Sequence, residues 1–476
     1  MLASTDPMTA ASPVAASVAQ IVARARAAQE LADDYDQARI DELVAAAAWA
    51  ILEPGRNRLL AELAVRYTGI GDVEDKVKKN HRKTLGLIRD LHGMKTVGVI
   101  AEDAMRGITE IARPVGVVCA ITPSTNPAAT PANKIINSLK ARNAVIVAPS
   151  PRGASTCARL IDYVHAEFDC IGAPHELVQM LPAPISKEST AELMRQCDLV
   201  VATGSQANVR AAYASGTPAF GVGAGNVASI VDETADLDDA AAKIVMSKTF
   251  DNATSCSSEN SIVLIESIAE PMLAALERQG CVLVNDADRE RLASTMWRSG
   301  KLSPAVIGQP VAVISDRAGL ADPAARSARV LLVESEGIGP GHPFSGEKLS
   351  PVLTVYRARD FDEAKDIVRR IYAHQGAGHS VSLHSGAPER ALDLGLTLPV
   401  ARVIVNQVHC FANGGSFSNG LPVSLSMGCG TWGRNNFSDN MNVRHYMNIT
   451  RIARPLPERV PAVDDFLGDY FARWGR

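Results

Sequence analysis

Apolar positions in the N-terminal part of the chain recur every three or four residues, which is the pattern of amphipathic helices. This pattern starts near Val18 and continues through IDELVAAAAWAILE, GRNRLLAELAVRYTGIGD and EDKVKKNHRKTLGLIRDL. Near residue 95 it gives way to short apolar runs punctuated by Gly and Pro, such as KTVGVIAED and GITEIARPVGVVCAITPSTNP. These runs predict strands.

Short strands and helices then alternate along the chain. The strand-like segments NAVIVAPS, ELVQMLPAP and DLVVATGS are each followed by a segment with helical periodicity. The glycine-rich AFGVGAGNVASIVD and the helical DDAAAKIVMSKTF come next, and SENSIVLIES opens a second alternation that ends near VARVIVN. Such alternation is typical of parallel, doubly wound sheets. We therefore predict an α/β fold with two domains that meet near residue 250.

Composition narrows the class of protein. A chain of 476 residues allows two large domains or three of about 150 residues each. The net charge of −4 argues against nucleic acid as a partner. The 8 cysteines form no C-x-x-C pair and indicate reduced thiols rather than a disulfide framework. The N-terminus does not resemble a signal peptide, and no apolar run approaches about 20 residues, so we expect a cytoplasmic protein without a membrane partner.

Two segments carry candidate catalytic side chains. Cys256 lies among small polar residues in FDNATSCSSENSI, between a predicted helix and a strand. Such a junction favours an exposed thiolate, although a buried structural cysteine is the ordinary alternative. Asn126 lies in the turn ITPSTNPAATPANK. Its amide is suited to stabilising an oxyanion, or else it satisfies its own turn.

A third segment is suited to binding an anion. LVVATGS places Thr203, Gly204 and Ser205 between a strand and a helix N-terminus, although the G-x-G-x-x-G fingerprint is missing. A plain turn with Ser205 as the helix cap explains this pattern equally well. The segments FGVGAGN, GEKLSPV and MGCGTWGRNN carry weaker signals. Three histidines recur at residues 374, 379 and 384, which is not the period of one helix face, so we expect no metal site.

Taken together, these segments resemble the coenzyme A-acylating branch of the aldehyde dehydrogenase superfamily. The acylating branch includes the aldehyde dehydrogenase half of bifunctional alcohol/aldehyde dehydrogenases, which this chain also resembles. The resemblance runs from about residue 15 to about 455. It is carried by these motifs: GDVEDKVKKNH, PSTNP, ATGSQANVRAAYASGTPAFGVGAGN, MSKTFDNATSCSSENSIV, EKLSPVLTVYRARDF, GAGHSVSL and SMGCGTWGRNN. The fused alcohol dehydrogenase half and any N-terminal targeting extension are expected to be absent.

The resemblance implies a fold and a division into domains. The fold has a Rossmann-like cofactor domain, an α/β catalytic domain and a small β arm for oligomerisation. The expected segments are a flexible N-terminus at residues 1–15, an NAD(P)-binding domain at 16–248, a catalytic domain at 249–430 and a C-terminal return at 431–476. Residues 97–114 and 444–456 should form the arm of a homodimer or homotetramer.

The resemblance also implies roles for individual residues. Cys256 matches the nucleophile, Asn126 the oxyanion asparagine, and His379 a histidine of the acylating branch whose role is open. Glu347 matches the acid that holds the nicotinamide ribose. The other residues expected to contact the cofactor, either NAD or NADP, are Thr122, Pro149, Arg152, Thr203, Gly204, Ser205 and Gly223.

Residue 222 separates the acylating branch from hydrolytic aldehyde dehydrogenases. Hydrolytic enzymes place a water-activating glutamate there, whereas this chain has Val222. The implied reaction therefore oxidises an aldehyde through a thioester on Cys256 and transfers the acyl group to coenzyme A. A hydrolytic enzyme and a non-enzymatic scaffold are the rival functions. Val222 argues against the first, and the retention of Cys256, Asn126 and Glu347 argues against the second.

The substrate and the cofactor depend on single departures from the family pattern. Arg434 stands in GTWGRNN where relatives similar to the bifunctional enzymes have Gly, and the loop around His409 also differs. An arginine near the pocket suits a second anionic group, as in sulfoacetaldehyde or succinate semialdehyde, and a structural contact is the alternative. The C-terminal third most resembles acylating dehydrogenases of these aldehydes, while acetaldehyde stays an alternative. Arg152 follows APSP where many NAD-preferring relatives have Glu, and this favours NADP.

Overall fold

The computed structural model describes residues 12–475. Residues 1–11 of the predicted flexible N-terminus, which was placed at residues 1–15, therefore lie outside the described residues. The first helix begins at Pro13. The helices and strands up to residue 231 are α1 (Pro13–Asp33), α2 (Gln37–Leu52), α3 (Pro54–Thr68), α4 (Val73–Leu91), β1 (Gly98–Asp103), β2 (Ile108–Pro114), β3 (Val117–Thr122), α5 (Ala129–Lys140), β4 (Ala144–Pro149), α6 (Ala154–Ile171), β5 (Val178–Met180), α7 (Lys187–Gln196), β6 (Leu199–Thr203), α8 (Gln206–Tyr213), β7 (Ala219–Val222) and β8 (Val227–Val231).

The remaining elements continue the alternation to the C-terminus. They are α9 (Leu237–Thr249), β9 (Glu259–Ile265), α10 (Ala269–Arg278), β10 (Cys281–Leu283), α11 (Asp286–Met296), β11 (Trp297–Arg298), β12 (Lys301–Leu302), α12 (Val311–Ala318), α13 (Pro323–Ser327), β13 (Val330–Glu334), β14 (Val352–Ala358), α14 (Phe361–His374), β15 (Val381–His384), α15 (Pro388–Thr397), β16 (Val403–Val405), α16 (His409–Ala412), β17 (Met447–Ala453) and α17 (Asp464–Trp474). Among residues 12–475, none of these helices combines the length and the apolar character that crossing a bilayer requires.

The first large sheet has five parallel strands in the order β5-β4-β3-β6-β7. Every residue of β3 and β4 is buried. Strands covered by helices on both faces lack a polar side, which is why VVCAIT and AVIVAP read as continuous apolar runs. The strands and helices α6 to α8 were predicted from this pattern, whereas helix α5 was not, because its first residues were interpreted as part of a Pro- and Asn-rich turn.

The second large sheet has seven parallel strands in the order β10-β13-β14-β9-β8-β15-β16. The two parallel sheets confirm the predicted α/β fold. Strand β8 follows β7 closely in the chain but pairs with β9 and β15 in this second sheet. The chain therefore passes from the first sheet to the second near residue 226. The domain boundary at residue 248 stays a prediction.

A separate antiparallel sheet joins distant parts of the chain in the order β1-β2-β17. Strand β17 pairs with β2 along its whole length, from Met447 opposite Pro114 to Ala453 opposite Ile108. The two segments that the sequence assigned to one arm therefore lie in one sheet. The role of this sheet in oligomerisation stays a prediction.

The parallel strands of the first sheet end at one common edge. Thr122, Pro149, Thr203 and Val222 are the last residues of β3, β4, β6 and β7. Open α/β sheets bind ligands beyond the carboxyl ends of their strands. The candidate site is therefore expected at this edge, where the turn before β9 also arrives.

Candidate active site

Cys256 lies in the connection between a short helical turn, Phe250–Ala253, and strand β9. Three consecutive residues of this turn, Asp251, Asn252 and Ala253, have left-handed φ angles of 53°, 50° and 58°. Such angles cost an L-residue about 1–2 kcal/mol each. Contacts from outside the turn must therefore hold the backbone that leads to Cys256.

The buried carboxylate of Asp251 provides these contacts. Its Oδ2 accepts hydrogen bonds from Lys76 Nζ at 3.0 Å, from Lys79 Nζ and from Thr254 Oγ1 at 2.7 Å. Its Oδ1 accepts the backbone N–H of Asp72 at 2.8 Å. Burial alone would raise the pKa of Asp251, but the two lysines outweigh it and hold that pKa below its usual value. The strained turn is thus fixed to helix α4 by a buried charge network.

Asn126, four residues after β3, is oriented by the same helix. Lys79 Nζ donates to Asn126 Oδ1 at 2.9 Å. Because an ammonium group can only donate hydrogen bonds, the amide oxygen must face Lys79 and the NH₂ group must face away. That NH₂ group donates to no residue of the described chain. Asn126 therefore presents a free donor, as a residue that stabilises an oxyanion must.

Gly225 separates Cys256 from His379. A Cβ atom at Gly225 would overlap the carbonyl oxygen of Cys256 and lie 3.1 Å from His379 Nε2, so a glycine is needed for this close approach. His379 Nδ1 bonds to Ser380 Oγ at 2.8 Å, and its Nε2 has no partner within residues 12–475. Burial, assisted by the charge of Arg402, holds the pKa of His379 well below its usual value. The ring is therefore neutral at pH 7.

The thiol of Cys256 is protonated at neutral pH in the free protein. Burial and then the nearby carboxylate of Glu347 raise the pKa of Cys256 to about 12. The sequence favoured a thiolate at this junction. That prediction is wrong for the free protein, because burial outweighs the hydrogen bond with Ser257 and the charge of Arg402, which lower the pKa of this thiol. A nucleophilic role for Cys256, as the sequence predicts, would require the loss of this proton when substrate is bound.

The cofactor residues predicted from the sequence gather at the edge of the five-stranded sheet. The side chain of Thr122 is buried, and its Oγ1 has no hydrogen-bond partner in the described part of the chain. Ser205 caps helix α8 by accepting the Asn208 N–H at 3.3 Å, and the first turn of α8 is exposed. A Cβ at Gly223 would overlap the side chain of Gln206. An open helix N-terminus, a free hydroxyl and a glycine floor suit a dinucleotide phosphate.

The other predicted cofactor residues lie close to these. Pro149 ends β4, and Arg152 is exposed in the following turn. Thr203 Oγ1 and Ser426 Oγ are 2.6 Å apart, which ties the end of β6 to the C-terminal segment. Glu347 bonds to the backbone of Gly225, and burial raises its pKa to about 7. The structure thus brings Glu347 to the Cys256 side of this edge.

An aromatic cleft leads to Cys256 from the side of helix α4. It combines aromatic and aliphatic side chains with a few polar ones, as small-molecule sites usually do. The residues that line the aromatic cleft are Lys79, Arg82, Lys83, Asn126, Phe250, Ser255, Cys410, Phe411, Gly415, Ser416, Phe417, Val423 and Leu425. Asn126 and Ser255, the neighbour of Cys256, mark its inner end. The aromatic cleft is therefore a candidate binding site for a small molecule.

The two residues predicted to bind substrate lie outside the lining of the aromatic cleft. Arg434 is exposed at a second cleft, together with Gly223 and Trp432, on the cofactor side of the site. Its φ angle of 58° is left-handed, which agrees with the glycine that relatives carry there. His409 is buried behind the catalytic loop and bonds through Nδ1 to the Ser257 carbonyl at 2.8 Å. Their roles in substrate binding stay predictions.

Sequence reasoning missed the basic face of helix α4. Lys76, Lys79 and Lys83 are spaced by three and four residues and so share one side of the helix. Such lysines usually face solvent, but Lys76 and Lys79 are buried here. The available signal was the motif GDVEDKVKKNH, which is poor in apolar residues and supported the family resemblance but had no assigned role.

Comparisons with known proteins agree with this site. Residues 6–291 match the model of the aldehyde dehydrogenase family. The chain is 65% identical over 470 residues to a sulfoacetaldehyde dehydrogenase (acylating) of Cupriavidus necator, covering 99% of this chain and 95% of that protein. It is 36% identical over 454 residues to a succinate-semialdehyde dehydrogenase (acetylating) of Clostridium kluyveri, covering 95% and 99% of the two chains.

A solved structure extends the agreement to the fold. The crystal structure of an acetylating aldehyde dehydrogenase from Geobacillus thermoglucosidasius matches with a TM-score of 0.90 and 35% identity, over 94% of this chain and 98% of that one. On the family match, the identities and this likeness, the chain belongs to the aldehyde dehydrogenase family.

Proposed function

We propose that the protein oxidises a short anionic aldehyde to its coenzyme A thioester, reversibly, with NAD(P) as hydride acceptor. Sulfoacetaldehyde is the proposed substrate because the Cupriavidus necator relative acts on it by name and the identity spans nearly the whole chain. Succinate semialdehyde is the second candidate, by the name of the Clostridium kluyveri relative. Both aldehydes carry an anionic group away from the carbonyl.

One observation carries the acylating outcome. Val222 is buried at the end of β7, three residues before the Gly225 that touches Cys256. An apolar side chain cannot activate water, so hydrolysis of a Cys256 thioester lacks its base at this position. A thiol needs less activation than water, and coenzyme A supplies one. Exchange of one thioester for another of similar energy also makes the reaction reversible.

The residues of the site support the following chemistry. The Cys256 sulfur forms a bond to the aldehyde carbon while its proton passes to a base. The amide of Asn126 and the Cys256 backbone N–H, which bonds to no residue of the described chain, stabilise the oxygen that becomes negative. His379 is the proposed acceptor for the thiol proton, because its Nε2 has no partner among residues 12–475 and it lies across Gly225 from Cys256. Its lowered pKa makes it a weak base in the free protein. The acyl group is then transferred from Cys256 to the sulfur of coenzyme A.

The cofactor edge fits a nicotinamide dinucleotide. When bound, NAD(P)⁺ supplies the acceptor for the hydride that leaves the aldehyde carbon. The first turn of α8 and Thr122 would hold its phosphates and ribose, and Glu347 would hold the nicotinamide ribose. Arg152 is exposed and unpaired among the described residues, which favours a 2′-phosphate and hence NADP.

Dependence on coenzyme A tests the proposed function. Purified protein is mixed with sulfoacetaldehyde and either NAD⁺ or NADP⁺, with and without coenzyme A, and NAD(P)H is followed. We expect continuous turnover only with coenzyme A, and at most a single burst per active site without it. Equal continuous rates under both conditions would indicate a hydrolytic enzyme and contradict the proposal.

Asn126→Ala should slow the formation of the thioester. Loss of one oxyanion donor costs about 10²–10³-fold in kcat in comparable sites. The KM for the aldehyde should change much less, because the amide acts on the oxygen as it becomes charged. Asn137→Ala is the matched control, since Asn137 is a buried asparagine of α5 away from the cleft. Stopped-flow measurement of NAD(P)H formation decides, and an unchanged rate for Asn126→Ala would refute the assigned role.

Binding of the cofactor should weaken below pH 7. Burial raises the pKa of Glu347 to about 7, so its carboxylate, which accepts hydrogen bonds best, is lost as the pH falls through that value. The Kd for NAD(P)H should therefore rise on the acid side of pH 7. In Glu347→Gln the Kd should be raised throughout and insensitive to pH in this range. Parallel pH profiles in both proteins, measured by fluorescence titration, would speak against a ribose contact by Glu347.

Two further expectations belong to this proposal. The antiparallel sheet of β1, β2 and β17 leaves large apolar side chains exposed, among them Val99 and Ile452. These suit contact with a second copy, so we propose a homodimer or homotetramer. A cytoplasmic location is proposed because coenzyme A, NAD(P) and reduced thiols occur together in that compartment.

A further inference from the structure

The aromatic cleft carries an excess of positive charge. Three of its lining side chains, Lys79, Arg82 and Lys83, are cationic, and none of the residues that line it is acidic. Lys79 shares the carboxylate of Asp251 with Lys76, so a single negative charge compensates two lysines. Arg82 and Lys83 have no carboxylate partner within residues 12–475. A neutral aldehyde would gain little from such charges, whereas an anionic one would be attracted.

Arg82 is held in place without its hydrogen-bonding capacity being used. Its guanidinium lies over the rings of Phe411 and Phe417, 5.1 Å and 5.7 Å from their centroids. It forms no hydrogen bond and no ion pair with any residue of the described chain. Arg89, two turns further along α4, also lies over Phe417 but pairs with Asp90 and donates to Ser416. Arg89 therefore has a structural partner, while the donor fork of Arg82 is free.

Lys83 adds a second cation that is fixed in direction. Its Nζ donates to the carbonyls of Gly414 at 2.8 Å and Gly415 at 3.1 Å. An ammonium group has three donors, so one remains for a ligand. Burial lowers the pKa of Lys83 only to about 8, so the side chain is charged at neutral pH. The carbonyls keep it at the wall of the cleft, next to Arg82 in sequence.

The spacing of the lysines along helix α4 fits a short substrate. Lys79 donates to the Asn126 amide oxygen and so marks the end of the cleft nearest the proposed oxyanion donor. Lys83 lies about one helical turn further along α4, a rise of about 5.4 Å. An aldehyde whose anionic group is two or three bonds from the carbonyl carbon spans such a distance. The exposed side of the cleft, with Arg82 and Phe417, is thus the place for the charged end.

We propose that Arg82, assisted by Lys83, binds the sulfonate or carboxylate at the far end of the aldehyde and so selects anionic substrates. This rests on the proposed function, since it names the recognition element of the same site. A guanidinium presents paired donors that match the oxygens of a sulfonate or carboxylate. Contact with the rings of Phe411 and Phe417 holds the guanidinium at the wall of the cleft and reduces the conformational freedom of the Arg82 side chain before the substrate binds.

The test compares an anionic and a neutral aldehyde. In Arg82→Met, which keeps an apolar stem against the two rings, kcat/KM for sulfoacetaldehyde should fall about 10- to 100-fold, mostly through KM. For propionaldehyde it should change little. Arg82→Lys should restore part of the loss, because it restores the charge. Lys78→Met is the matched control, since it removes a charge from the exposed face of the same helix.

Inhibition gives a second readout on a functional enzyme. Ethanesulfonate should inhibit propionaldehyde oxidation competitively in the unmodified protein, and inhibition should be lost in Arg82→Met. Equal losses for both aldehydes, or unchanged inhibition, would overturn the proposal. A loss confined to Arg434→Gly would assign the anion to the second cleft instead. If the unmodified protein makes no acyl-CoA from any aldehyde, the proposed function fails. If the unmodified protein makes acyl-CoA and the Arg82→Met variant behaves in the same way, only the role of Arg82 fails.

Discussion

Cys256→Ala should abolish aldehyde oxidation, with kcat lowered by about 10⁵-fold or more. The proposed mechanism needs a bond from the Cys256 sulfur to the aldehyde carbon, and Cys256 is the thiol that follows the strained turn at residues 251–253. Removal of a covalent nucleophile leaves only the contributions of binding and of the oxyanion donors. Stopped-flow measurement of NAD(P)H formation, with a limit set by the enzyme concentration, gives the size of the loss.

Two comparisons make this result specific. Cys170→Ala, which removes the exposed cysteine of helix α6, should leave kcat unchanged. The Cys256→Ala protein should bind NAD(P)H with an unchanged Kd, because the thiol lies outside the dinucleotide contacts. Turnover in Cys256→Ala within tenfold of the unmodified protein would show that Cys256 is not the nucleophile.

Asp251→Asn should destabilise the protein and slow turnover together. The carboxylate is the shared partner of the buried lysines Lys76 and Lys79, and an amide would leave two buried ammonium groups without a counter-ion. Breaking a buried ion pair in this way costs about 3–5 kcal/mol. The amide introduced by Asp251→Asn cannot accept hydrogen bonds at both of its positions. Either the Asp72 N–H loses its acceptor, or the amide NH₂ group faces the buried lysines, which are themselves donors. The urea midpoint and kcat should therefore both fall.

The pH dependence of this loss has a definite sign. Burial lowers the pKa of Lys76 to about 8 even with Asp251 present, so the unfolded chain binds more protons than the folded one above that pH. Without the carboxylate this pKa must fall further. Raising the pH from 7 to 9 should then restore part of the stability of Asp251→Asn relative to the unmodified protein.

A surface ion pair provides the control for Asp251→Asn. Asp316 pairs with Arg326 at 2.9 Å, and both side chains are largely exposed. Asp316→Asn should change stability by about 1 kcal/mol or less. Equal effects of the two substitutions would mean that the Asp251 network does not hold the catalytic turn.

The fold was predictable where local pattern and topology agree. The runs VVCAIT, AVIVAP and LVVAT are buried strands of one parallel sheet, because their lack of a polar face leaves no other solution. AFGVGAGNVASIVD read as one glycine-rich strand segment. The structure divides it into β7 and β8, which belong to different sheets. Glycines 223 and 225 permit this crossing and also pack against Gln206 and Cys256.

The chemistry of the site was only partly predictable, because it depends on residues far apart in sequence. Asp251 and Lys79 are separated by 172 positions and meet only when helix α4 packs on the catalytic turn. The protonation state of Cys256 depends on burial and on Glu347, which no local spacing reveals. Arg434 is predicted to bind substrate because it departs from the family pattern. No feature of the sequence distinguishes Arg82 from the other basic residues of its helix, yet it lines the cleft that contains Asn126.

The acyl-enzyme itself gives the most direct test of the central claim, that Cys256 passes an acyl group to coenzyme A rather than to water. The protein is mixed with NAD(P)⁺ and excess sulfoacetaldehyde without coenzyme A, quenched in acid and analysed by intact mass and peptide mapping. We predict one sulfoacetyl group per chain on the Cys256 peptide, and its rapid loss, with formation of the acyl-CoA, when coenzyme A is added. An unmodified protein together with free sulfoacetate as the product, at the same rate with or without coenzyme A, would contradict the account.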